Sequence, residues 1–175
     1  METSYIVTFI GDDRPGLVEA LSRVIESHQG NWLESRLSQL GGKFAGLVLV
    51  ALPADNAAAL ETALKELSAS GLSVRVTPAT AVGAKRSDRS IVLTVIGPDR
   101  LGIVREISRA LAQRQVNVVE MDSEVSSAPM SAELMFTARI EAEIPEHLDL
   151  EDLEDSLEDI ANQMTLEIEL ERGHH

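Results

Sequence analysis

The 175 residues carry 15 Lys and Arg against 29 Asp and Glu, a formal net charge of −14, with 44% hydrophobic residues and no cysteine. That hydrophobic content supports a packed core and excludes a disordered tail. The missing cysteines exclude disulfides, thiolate nucleophiles and Cys-ligated metals, and the negative charge opposes autonomous binding to a phosphate backbone.

In chain order, residues 5–10 are β-branched and aromatic and end at Gly11, which predicts a strand. Leu17, Leu21, Val24 and Ile25 then recur at helical spacing, and Gly30 is expected to close that helix. Asn31–Leu40 and Phe44–Leu52 flank Gly41-Gly42 and predict a hairpin. Asp55 is the expected cap of a second helix with a Leu60, Leu64, Leu67 stripe, and Leu72–Thr77 reads as a last strand.

From Ile91 the pattern starts again. Tyr5–Arg36 matches Ile91–Asp122 without a gap at an offset of 86, with twelve of 32 positions identical. Ile103, Ile107, Ala110 and Leu111 form the second copy's first helix stripe. Val116–Val125 and Ala132–Ile140 flank a turn at Ser126–Met130, where Pro129 cannot donate to a ladder. Leu150, Leu153, Leu157, Ile160 and Met164 predict a helix whose other positions are largely acidic, followed by a strand at Thr165–Leu170.

Each copy thus reads β-α-β-β-α-β, an α+β fold of two ferredoxin-like domains with antiparallel sheets and both helices on one face. The expected domains are residues 1–80 and 90–172, joined by a linker at 81–89 containing Lys85, Arg86 and Arg89. About 80 residues make a marginal core, so pairing of copies is expected. The terminal Gly173-His174-His175 reads as the stub of a purification tag. From Glu141 to Arg172 there are thirteen acidic residues and one basic, either a solvated helix face or a docking face for a basic partner. No apolar run reaches the roughly 18 residues of a spanning helix, and Met1-Glu-Thr-Ser does not open a secretory signal, so the cytoplasm is the expected compartment.

The candidate functional segment is Gly11-Asp-Asp-Arg-Pro-Gly, repeated as Gly97-Pro-Asp-Arg-Leu-Gly, which leaves a strand and opens a helix. Asp13 and Asp99 fit as helix N-caps, with Pro15 in the first turn. Gly16 and Gly102 are then expected inside that turn, where Gly costs about 1 kcal/mol against Ala, so a strand or a ligand should approach the backbone there. A helix N-terminus suits a carboxylate or another small anion. Asn31 and Asn117 read either as helix-end residues or as amides that contact an amino acid held by a neighbouring copy. A local ion pair with Asp12 or Asp13 would account for Arg14, and its equivalent is Arg100.

The strand–loop–helix run resembles the opening of an ACT domain, the small-molecule regulatory module of amino-acid metabolism. Two such modules in this length, with no attached enzyme, resemble the glycine cleavage system transcriptional repressor family. The resemblance implies amino-acid binding where modules pair near that loop. Its matching positions are Asp12, Asp13, Arg14, Pro15, Gly16 and Leu17, then Asp99, Arg100, Leu101, Gly102 and Ile103, with Asn31 and Asn117 after the helix. Pro98 and Leu101 depart from the pattern, which favours the first loop. The resemblance further implies homo-oligomers through ACT–ACT pairing, glycine or serine as ligand, and action on a DNA-binding regulatory protein without touching DNA; from the residues themselves no cofactor, metal or membrane is expected.

Three other readings compete. An enzyme would need a nucleophile motif or metal-ligand spacing, and His28 and His147 are the only histidines outside the terminal pair. An RNA-recognition motif shares the element order, but Ser131-Ala-Glu-Leu stands where its aromatic signature belongs, and aromatics are 3% of the chain. The third reading is an ACT-like interaction module without a ligand.

Overall fold

A computed structural model describes residues 1–80 and 89–173. The chain divides into two compact units, residues 1–83 and 84–175. The linker expected at 81–89 lies, except for Arg89, outside the described residues, as do His174 and His175.

The N-terminal unit runs β1 (Glu2–Asp12), α1 (Leu17–Ser27), β2 (Asn31–Leu40), β3 (Lys43–Pro53), α2 (Ala57–Glu66) and β4 (Ser73–Pro78). Its four strands form one antiparallel sheet in the order β2-β3-β1-β4. The C-terminal unit repeats this with β5 (Ser90–Pro98), α3 (Ile103–Gln113), β6 (Asn117–Ser127), β7 (Leu134–Glu143), α4 (Leu150–Met164) and β8 (Glu167–Arg172), in the order β6-β7-β5-β8. The expected ferredoxin-like arrangement is present in both halves, and among the described residues no strand is shared between the two sheets.

The alternation along the central strands decides which face is buried. Val7 and Phe9 of β1 and Val48, Val50 and Leu52 of β3 point to one face and pack with Leu17, Leu21 and Ile25 of α1 and Leu60 and Leu64 of α2. Burying a side chain such as Leu21 contributes about 2 kcal/mol. The second core repeats the plan with Leu93, Val95, Ile107, Leu111, Ala138, Ile140, Leu153 and Leu157. Among the described residues, both helices of each unit pack on that one face of its sheet.

The structure also changes several local expectations. Gly41 and Gly42, at φ 60° and 79°, form the two-residue turn between Leu40 and Lys43; two positive φ values fit the twist that hairpin strands require. The second hairpin needs a longer loop: Ala132, at φ 55°, lies before β7. Gly30 is not the left-handed residue that ends α1. Gln29 takes that role at φ 62°, while the Gly30 N–H donates to the Ile25 carbonyl at 2.9 Å. A Cβ at Gly30 would lie 2.7 Å from Ile25 Cγ2, so this glycine serves packing. Gln115, at φ 58°, ends α3 in the same way, with Val116 N–H on the Leu111 carbonyl at 3.0 Å. Asp55 does not cap α2: residues 54–56 form a 3₁₀ turn, and the N-cap Asn56 donates its side-chain amide to the His28 carbonyl at 2.9 Å.

Both outer strands β2 and β6 contain a bulge at equivalent places. The register shifts between Trp32 and Glu34, and again between Val118 and Glu120, leaving Leu33 and Val119 as the extra residues.

In the C-terminal unit the Arg89 guanidinium donates to the carbonyls of Pro145, Glu146 and Leu148 at 3.2, 2.9 and 3.3 Å, and so holds the approach to α4. Asp149 caps α4, its carboxylate accepting from the Glu151 N–H at 3.0 Å. Leu153, Leu157 and Ile160 are buried and Leu150 is half-buried, whereas Glu151, Asp152, Glu154, Asp155, Glu158 and Asp159 are exposed, as the spacing predicts. Asp152 meets Arg114 Nε at 2.9 Å.

Candidate functional site

Each candidate loop begins where a central strand ends. Asp12 closes β1 opposite Lys43, and its carboxylate accepts a hydrogen bond from the Lys43 ammonium. That hydrogen bond and the Lys43 charge, aided by the charge of Arg14, hold the Asp12 carboxyl below the usual aspartate range. Asp13 accepts from the Gln39 side-chain amide at 2.5 Å, and its own N–H donates to the Gly42 carbonyl at 3.3 Å. The loop is therefore fastened to the β2–β3 turn. Arg14 is not the ion-pair partner of Asp12: Lys43 is, and Arg14 adds only its field.

This fastening has a pH signature. A carboxylate whose folded-state pKa is lowered contributes stability above its unfolded pKa and loses it as pH falls through the folded value. Acid titration followed by NMR is expected to show Asp12 protonating below an ordinary aspartate. Lys43→Met is expected to return it towards the normal value. An unchanged Asp12 titration in that variant would contradict the pairing.

The helices start later than the spacing suggests. Asp13 and Asp99 are not the N-caps, and Pro15 precedes the helix. The N-caps are Gly16 and Gly102, at φ 86° and 95°. This left-handed conformation, costly for any residue with a Cβ, accounts for both glycines. Among the described residues the close neighbour expected there is absent: a Cβ at Gly16 would meet nothing within 4 Å, and one at Gly102 only Met164 Cε at 4.0 Å. Close approach is found instead at Gly11 and Gly97, the last core-facing positions of β1 and β5. There a Cβ would lie 3.0 Å from Leu72 Cδ1 and 2.5 Å from Leu166 Cδ2.

A glycine N-cap has no side chain to accept from the helix. The Gly16 carbonyl takes the Ala20 N–H at 2.9 Å and the Gly102 carbonyl the Glu106 N–H at 2.9 Å. The N–H groups of Leu17–Glu19 and Ile103–Arg105 precede the first bond of each helix and project from its positive end. In the second copy Asp99 N–H is taken by the Leu134 carbonyl at 2.9 Å. There an open cleft of about 670 Å³ is bordered by Arg100, Leu101, Gly102, Arg105, Gln163 and Met164, with one acid, Glu106, among them. Leu101 stands 97% exposed at its rim.

Asn31 and Asn117 lie elsewhere. Each is the exposed first residue of its strand, Asn31 opposite Ala51, which in turn lies opposite Ser4. Ser4 and Asp12 are eight steps apart along β1, roughly 27 Å at strand rise. Within one unit the asparagine and the loop are thus at opposite ends of the sheet. Asn117, opposite Glu143 and so level with Ser90, repeats this placement. Among the described residues no group of His, Asp and Glu is arranged to hold a metal ion, and no helix is long and apolar enough to cross a membrane.

The chain is a tandem of two βαββαβ units, each with a glycine-capped helix end at its first strand–helix loop. The chain belongs to the ACT-domain family: sequence profiles of that domain match residues 3–77 and 91–160. No match is found among curated protein sequences. Among solved structures, an unknown protein from Galdieria sulphuraria is 29% identical, with a TM-score of 0.84 over 99% of this chain and 100% of its own. A second, provisionally named a glycine cleavage system transcriptional repressor, shares the fold at 20% identity and a TM-score of 0.72, over 100% of this chain and 99% of its own.

Proposed function

We propose that this chain is a non-enzymatic regulatory protein that binds a small amino acid and acts by protein–protein contact, in the manner of a glycine cleavage system transcriptional repressor. The observation that carries this reading is the pair of helix N-termini capped by side-chain-free, left-handed glycines. Such an end offers backbone N–H donors and a positive dipole to a carboxylate. The ligand carboxylate takes N–H groups of Leu17–Glu19 or Ile103–Arg105. Its ammonium faces the side-chain oxygen of Asn31 or Asn117 from a neighbouring copy, since the asparagine of the same unit is roughly 27 Å away. A site completed only by pairing gives the ligand control over assembly, which is how binding reaches a partner. Glycine and serine suit a site this close to backbone. The net charge of −14 fits action on a DNA-binding protein more readily than on DNA itself, and the cytoplasm is the matching compartment.

Calorimetric titration with the twenty amino acids is the direct test, and a saturable heat with glycine or serine is expected. Gly16→Ala and Gly102→Ala should weaken it while costing about 1–2 kcal/mol of stability each, because Ala resists positive φ. Asn31→Ala, at an exposed strand end, should weaken binding with the melting temperature unchanged. Absence of heat with every amino acid would reject the sensor and leave an ACT-like interaction module.

A further inference from the structure

We propose that helix α3, with the groove between α3 and α4, docks an acidic amphipathic helix of a separate partner protein. The proposal rests on the reading that this chain acts by protein–protein contact, and it gives that contact a place. The repeat supplies an internal comparison. On α1, Arg23 is paired with Glu19 one turn earlier at 3.3 Å. The matching positions of α3 are Arg109 and Arg105. Two arginines at i and i+4 repel and weaken the helix that carries them. Both are exposed, and neither they nor Arg100 has a hydrogen-bond or ion-pair partner among the described residues. Apolar groups lie between the charges. Leu101 is 97% exposed and Val104 42%, and the exposed Ser108 and Ala112 continue their row at helical spacing.

Beside this face runs a groove. The cleft at Gly102 and a second one of about 200 Å³ share Glu106 and Gln163, and together they follow α3 from Gly102 to Gln113, about 16 Å. The buried side chains of Ala110, Ile160 and Met164 line it. Its rims differ in sign: Arg105 and Arg109 stand on α3 and Asp159 on α4, with Glu106 between them. An occupant that suits both features sets carboxylates over the arginines and large apolar side chains over Leu101, Val104 and the groove. That is the pattern of an acidic amphipathic helix. Among the described residues the chain itself offers no such helix, in this copy or a second one. Each of its four α-helices buries its apolar stripe in its own core. In the N-terminal unit Asp12, Glu19, Glu34 and Glu61 already hold a lysine or arginine. A nucleic acid fits poorly, because its continuous row of phosphates would meet Asp159 and the acids that continue along α4.

The test is an NMR titration of the isotope-labelled full chain with a synthetic peptide of about 15 residues, leucines on one helical face and glutamates on the other. Amide shifts confined to Arg100–Gln113 and the facing turns of α4 are expected, and the affinity should fall as salt is raised. A peptide with serine in place of leucine is expected to bind at least roughly tenfold more weakly. Arg105→Glu with Arg109→Glu should weaken binding of the first peptide by at least roughly tenfold, and Asp159→Asn should strengthen it. Arg23→Gln on α1 should leave it unchanged. All four positions are exposed, and circular dichroism checks the fold. Calorimetry with glycine and serine on the same chain keeps the two readings apart. Amino-acid binding without peptide binding would overturn this surface and leave the sensor, and peptide binding on α3 without amino-acid binding would do the reverse. Shifts elsewhere, the same shifts from a thymidine oligonucleotide, or arginine variants that bind like the wild type would each overturn the proposal.

Discussion

Leu21→Ala is expected to lower the stability of the N-terminal unit by about 3 kcal/mol, the cost of removing a buried leucine and leaving a cavity. Leu21 is 0% exposed and sits in the middle of α1, between Leu17 and Ile25, over the strands that carry Val7 and Val48. A unit of about 80 residues has little stability to spare, so this loss is a large share of the total. The two cores are separate clusters of side chains. Hydrogen exchange should therefore accelerate in the N-terminal strands while amides of β5 and β7 keep their protection. A uniform loss of protection across both units would show that they unfold as one, against this expectation.

Gly97→Ala is expected to cost about 2–3 kcal/mol, and Gly11→Ala clearly less, although the two glycines occupy equivalent positions. At Gly97 the new Cβ would meet backbone: Thr165 O at 2.8 Å and Leu166 Cα at 3.1 Å, besides Leu166 Cδ2. Thr165 is held at φ 59° as the residue that ends α4, so that backbone has little freedom to withdraw. At Gly11 the nearest atom is Leu72 Cδ1 at 3.0 Å, the end of a side chain, and the nearest backbone atom is Gly71 O at 3.4 Å. Thermal or urea denaturation of the two variants measures the difference. Equal losses would mean that backbone and side-chain obstacles yield alike, contrary to the geometry.

The internal repeat made the architecture legible, because the same periodicity occurs twice with turn residues between the elements. The helix stripes needed no tertiary information: Leu153, Leu157 and Ile160 are buried as their spacing requires. The loops were less legible. Asp13 three residues before Gly16 has the spacing of an N-cap, and only the sign of φ at Gly16 shows that the helix starts later. Sequence carries no direct mark of φ, and Gln29 shows the same limit. It is identical to Gln115 across the repeat, yet as a glutamine beside a glycine it gave no reason to be chosen as the left-handed residue. The separation of Asn31 from the loop was also hidden. It follows from β2 running antiparallel to β3, which returns the start of β2 to the far end of the sheet. Asp12 illustrates what pairing adds: Lys43 lies 31 residues away in sequence and opposite it in the register.

The bulge in β2 determines which lengths of that strand the fold can accept. Trp32 and Leu37 are five residues apart, an odd interval that would send them to opposite faces of a regular strand. Opposite Val50 and Gly46 they share one, because Leu33 absorbs a step. Deleting Leu33, or its counterpart Val119, would let the strand pair straight through with every other side chain still facing as before. Deleting Arg36 instead would move Glu34 into the place of Ser35, opposite Val48 and on the helix-covered face of the sheet. Evolutionary shortening of this edge therefore has one permitted point per repeat, and the half-exposed side chains of Leu33 and Val119 mark it.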